Sequence, residues 1–115
     1  MKSWTLSDEL QARPELAAAV ERLRPVVDGY VIPPRSAPLV SAAWRLEVDD
    51  KGRDVVALRL TEPFWPAGVE ERFAPQDVDP ANHHLRAGLH LLWVELLGAA
   101  NEVRIERLLQ EAGAD

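Results

Sequence analysis

From Val40 to Pro63 the side chains alternate between apolar and polar, and one short turn interrupts them. Val40, Ala42, Trp44, Leu46 and Val48 take turns with Ser41, Ala43, Arg45, Glu47 and Asp49, and Val56, Leu58 and Leu60 resume the pattern. A period of two is the mark of a strand with one dry face and one wet face. Directly opposed residues of an antiparallel pair share a face, so even positions must meet even positions, and that needs an odd number of loop residues. Asp50-Lys51-Gly52 supplies three. The pattern therefore predicts a type I turn followed by Gly52 in the left-handed region as a bulge. The facing pairs become Leu46–Val56, Trp44–Leu58 and Ala42–Leu60. A slip of one residue would expose Trp44 and the leucines, at roughly 1.5–3 kcal/mol each.

Such a ribbon needs cover, and 115 residues can provide it as a single α+β domain spanning 1–115. Ser7 with Asp8 and Glu9 resembles a helix cap, and Pro14 suits the first position of a following helix whose apolar stripe is Leu16, Val20 and Leu23. Pro25 is expected to end that helix, with Val26–Ile32 forming an edge strand that stops at Pro33-Pro34 and Pro33–Pro38 a loop. Pro63 to Pro75 is expected to be irregular, because prolines interrupt it. Asp79-Pro80 then opens a helix with Leu85, Leu89, Leu92, Trp93, Leu96 and Leu97 on one face. Near Gly98 it either breaks, with Asn101 as a new cap, or runs on, and Ile105, Leu108, Leu109 and Ala112 form a second stripe. A continuous helix would span about 50 Å and would have to bend or reach a second subunit. The expected fold is an antiparallel sheet of about three strands with an N-terminal helix and one or two C-terminal helices, in the order α-β-β-β-α.

That order resembles a double-stranded-RNA-binding domain, and its opening resembles secretion-chaperone and ribosome-maturation folds. The resemblance covers topology only. A net charge of −6 repels phosphate backbones and anionic lipid surfaces, so neither nucleic acid nor a membrane is expected as a partner. There is no cysteine, hence no disulfide, thiolate nucleophile or sulfur-ligated zinc, and the expected compartment is cytoplasmic.

Catalytic signatures are missing from the chain. The serines at 3, 7, 36 and 41 sit in no nucleophile elbow, and the six glycines stand singly, so no phosphate-cradling loop can form. His83, His84 and His90 do not share a metal-binding spacing, and Asp79 with His83 reads as a cap beside an exposed imidazole. Glu70-Glu71 and Asp77/Asp79 read as solvated loop acids. No catalytic residue, metal ligand or cofactor is assigned.

Two groups remain as candidate binding residues. Arg45 and Arg59 lie diagonally across the wet face, where they either grip a carboxylate or phosphate or keep the sheet soluble, and Glu47 lies diagonal to Arg53. Phe64-Trp65, held between Pro63 and Pro66, either anchors a partner or folds back as a lid. The functional expectation is a non-catalytic protein–protein interaction or adaptor module, with self-association into a homodimer as one form of it. It rests on more apolar surface than one sheet face can hide. The alternative is a binding protein for a small anion, or a minor enzyme, with a pocket between sheet and helix and Arg45, Arg59 or His83 as its polar anchors.

Overall fold

The computed structural model describes residues 1–29 and 39–113. In chain order these form strand β1 (Ser3–Leu6), helices α1 (Asp8–Gln11), α2 (Pro14–Arg22) and α3 (Arg24–Gly29), strands β2 (Ser41–Val48), β3 (Asp54–Glu62) and β4 (Trp65–Phe73), and helix α4 (His83–Ala112). The architecture is α+β, but its sheet has four strands in the order β1-β2-β3-β4 and is mixed, with β1 parallel to β2 and the other pairs antiparallel. The expected α-β-β-β-α order is thus corrected to one that opens on a strand.

The central hairpin has the register that its alternation requires. Leu46 faces Val56, Trp44 faces Leu58 and Ala42 faces Leu60. Gly52 has φ 78° and its N–H donates to the Asp49 carbonyl at 3.0 Å, closing the turn. The Asp49 carboxylate caps the same turn, accepting from the backbone N–H groups of Lys51 and Arg53 at 2.9 Å. Val48 departs from the dry-face pattern: it is 67% exposed, because the ribbon outruns its helical cover there.

Ser7 caps α1 by accepting from the Leu10 N–H, and Pro14 opens α2, which buries Leu16, Ala19 and Val20. Residues 24–29 are helical, so the strand expected over Val26–Ile32 is corrected as far as Gly29. Pro25 does not stop the chain there, since the first turn of a helix has no use for its missing N–H. Residues 30–38, with the rest of that expected strand and the Pro33–Pro38 loop, lie outside the described residues.

Pro63–Pro75, expected to be irregular, is corrected too, because most of it is β4. Pro66 is tolerated because β4 is an edge strand with one unpaired side. Gly68, at φ 75°, sits opposite a break in register between Leu60 and Glu62, and a Cβ there would stand 2.6 Å from the Leu60 carbonyl oxygen. Such an approach admits only glycine.

Asn82, not Asp79, caps α4, accepting from the N–H groups of His84 and Leu85 at 3.0 and 3.2 Å. Asp79 instead turns the chain just before it, accepting from the Ala81 N–H at 2.9 Å. The helix runs unbroken for 30 residues through Gly98. Its buried face, Leu85, Leu89, Leu92, Trp93, Leu96 and Ala100, packs with α2 and α3 over the dry face of the sheet, around Trp44, Leu58 and Leu60. No helix among the described residues is long and apolar enough to cross a membrane.

Candidate functional site

Arg45 and Arg59 do converge on the wet face, and what lies between them is Glu70. This residue reaches the site because Arg59 pairs with Glu70 in the β3–β4 register, placing its carboxylate beside both guanidinium groups. Arg45 hydrogen-bonds to Glu70 Oε1, Arg59 approaches that oxygen at 3.4 Å, and Arg72 binds Glu70 Oε2 at 2.9 Å. Glu47 joins from β2, at 2.6 Å from Arg45 and 3.2 Å from Arg72. The expected Glu47–Arg53 contact is not formed; Arg53 pairs with Asp49 at 2.9 Å. The expectation that Glu70 is a wet loop acid is corrected as well, since its side chain is only 18% exposed.

Alternating charges set the protonation of this network. Burial disfavours the Glu70 carboxylate, but the Arg45 hydrogen bond and the charges of Arg45, Arg72 and Arg59 prevail and hold its pKa below the ordinary value. Hydrogen bonds from Arg45, then Arg72, depress Glu47 likewise. The Arg45 guanidinium is held more firmly protonated, chiefly by Glu70. Three arginines and two glutamates thus satisfy one another across three strands. An arriving anion would have to displace Glu70.

Phe64 and Trp65 part company. Phe64 occupies the turn between β3 and β4 and lies beneath two α4 guanidinium groups, Arg104 at 4.6 Å and Arg107 at 5.2 Å from its ring centroid. Trp65 begins β4 opposite Glu62 and is 37% exposed. The turn is held from within by Glu62, whose side chain is fully buried and accepts both from the Phe64 N–H and from Arg104. His83 sits in the first turn of α4, exposed.

Among the described residues, most of the exposed large apolar side chains lie on a surface that the charge and aromatic signals do not mark, the outer face of α4. Leu91, Val94, Ile105, Leu108 and Leu109 are each more than half exposed. From Ala87 the positions 87, 91, 94, 98, 101, 105, 108 and 112 follow alternating steps of four and three residues, so they form one stripe along the helix. At about 100° per residue this stripe lies nearly opposite Leu85, Leu89, Leu92, Leu96 and Ala100. Beyond Ala100 the amphipathicity reverses: Arg104 and Arg107 turn inward onto Phe64 and Glu62, while Ile105, Leu108 and Leu109 turn away from the body. Reading Ile105, Leu108, Leu109 and Ala112 as a second stripe detects half of this surface. Leu91 and Val94 stand outside the apolar face that the sequence suggests for the first half of the helix.

Compared with known protein families, curated proteins and solved structures, the chain matches none.

Proposed function

We infer that this protein is a non-catalytic interaction module whose contact surface is the outer face of α4. The supporting observation is the reversal along that helix, which places the apolar side chains of its last two turns where their own domain cannot cover them. Fully burying an exposed valine, leucine or isoleucine is worth roughly 1.5–3 kcal/mol, and more than half of that gain is still open at each of the five on this face, so the helix has much to gain from a partner. The net charge of −6 favours a protein over a nucleic acid as that partner. Phe64, taken up by Arg104 and Arg107, supports the helix, and Trp65 lies at the margin of the module.

Photo-crosslinking in intact cells tests the reading. A benzophenone side chain at Leu108 should form protein adducts in clear excess over the same group at Glu15, an exposed position on α2. Equal yields from the two positions would overturn it.

A further inference from the structure

We propose that the occupant of this face is a second copy of the chain, its α4 packed parallel to the first as a two-stranded coiled coil over Ala87–Ala112. The proposal rests on reading the outer face as the contact surface and adds the identity and direction of the partner.

Spacing comes first. Steps of four and three place Leu91, Gly98, Ile105 and Ala112 at one core position of a heptad and Ala87, Val94, Asn101 and Leu108 at the other. The apolar positions at the two ends, Leu91 with Val94 and Ile105 with Leu108, keep one heptad phase across Gly98 and Asn101 in a stripe of about 38 Å, which is the condition for two helices to stay in register. A site for a short or irregular segment would not need such a repeat. The faces turned toward the sheet are the other heptad positions, so the core of the domain and the seam do not compete for side chains.

Area is the second consideration. The five exposed apolar side chains leave roughly 500 Å² uncovered in two groups, Leu91 with Val94 and Ile105 with Leu108 and Leu109, a sum comparable to the largest patch on a typical monomer. With Ala87, Ala112 and the aliphatic stems of Glu95 and Glu102, the strip comes nearer the ~800 Å² per partner of a specific interface.

Charge selects the direction. One flank of the seam carries Glu95, Glu102 and Leu109; the other carries His90, Leu97 and Glu111, its fourth position, Arg104, being drawn inward to Glu62. In a parallel pair each flank meets the opposite one, so that His90 lies beside the partner's Glu95 and Leu97 beside the partner's Glu102. In the antiparallel pair that best aligns the stripe, each flank meets itself: His90 would then meet the partner's Glu111, but Glu95 would stand against the partner's Glu102 twice. Like charges so placed destabilise the pairing. Gly98 and Asn101 make the middle of the seam thin, and the Asn101 amide oxygen accepts from Arg104 of its own chain at 2.7 Å.

Sedimentation equilibrium of the full chain should give twice its 12.8 kDa mass. The double variant Ile105→Glu/Leu108→Glu should weaken dimerisation by about 100-fold or more, since it sets four carboxylates into the seam. The near-UV dichroism of Trp44 and Trp93 should be unchanged, because both lie in the core of one chain. The chain has no cysteine, so Ala112→Cys alone reports direction. Mild oxidation should join its copies, whereas antiparallel helices would hold the two thiols tens of ångströms apart. A monomeric wild type, a dimer indifferent to the two glutamates, or a dimer that crosslinks only in mixtures of Ala87→Cys and Ala112→Cys would each overturn the proposal. A monomer that still yields adducts to other proteins at Leu108 in cells would remove the second copy and leave the contact face standing.

Discussion

Arg104 reaches across 42 residues of chain to place its guanidinium 3.0 Å from the buried Glu62 carboxylate, fastening the β3–β4 turn to the long helix. The second Glu62 oxygen accepts the Phe64 N–H at 2.8 Å, so one carboxylate satisfies both a side chain and the backbone of the turn. Among the described residues it is the one charged group in the core.

Removing a single partner of a buried pair leaves the other uncompensated, which costs more than the pair itself contributes. Arg104→Met should therefore lower stability by about 3 kcal/mol, and Glu62→Gln, which keeps the acceptor for Phe64, by about 1 kcal/mol. Urea denaturation of both variants and their double mutant should give a coupling above about 1 kcal/mol. A smaller value would mean that the turn is held by the Phe64 packing alone.

Gly52 and Gly68 separate backbone strain from crowding. Their φ values are nearly equal, at 78° and 75°, but a Cβ on Gly52 meets nothing within 4 Å while one on Gly68 meets the Leu60 carbonyl oxygen and the Thr61 methyl. Gly52→Ala should cost about 1 kcal/mol, the left-handed strain alone. Gly68→Ala should cost about 3 kcal/mol or more, because the β3–β4 register must also yield. Equal shifts in the urea midpoint would contradict the close approach.

Acid should weaken the wet face. Glu70, Glu47 and Asp49 all have folded pKa values below their unfolded ones, so their stabilisation is complete above the ordinary glutamate value of 4.5 and disappears as the pH falls through the folded values. Asp49 is depressed chiefly by the Arg53 backbone N–H. Glu70→Gln should cost about 1 kcal/mol at neutral pH, and its difference from the wild type should shrink below pH 4.5. Thermal melts at a series of pH values would show whether the two curves converge.

Gly98→Ala should stabilise the protein by about 0.5–1 kcal/mol. A Cβ at this exposed position of α4 meets nothing within 4 Å, and alanine loses less backbone freedom on entering a helix. A loss of stability would indicate that the helix opens at this position.

The misreadings of the sequence have physical causes that can be named. β1 is four residues long, too short for its alternation to be distinguished from a polar leader, and it becomes a strand through Lys2 and Ser7, whose N–H groups donate to the carbonyls of Val40 and Trp44. Val26-Val27 has strand propensity but winds into α3, where Val27 is fully buried, so tertiary packing overrides the β-branched preference. Pro66 argues against a strand in general and not against an edge. Arg45 and Arg59 were legible as neighbours because the hairpin register places them, whereas Glu70 could join them only once β4 was recognised.

Local pattern was enough for the hairpin, its Gly52 turn, the inward Trp44, the Ser7 and Pro14 helix starts and the apolar stripes of α2 and α4. Each depends on side-chain period or on φ limits acting within a few residues. The parallel docking of β1, the edge position of β4, the closure of Glu70 on the arginines and the outward turn of Ile105 and Leu108 could be settled only in three dimensions. All four depend on which distant segment lies alongside, and burial and charge pairing between segments many residues apart leave no periodic trace along the chain.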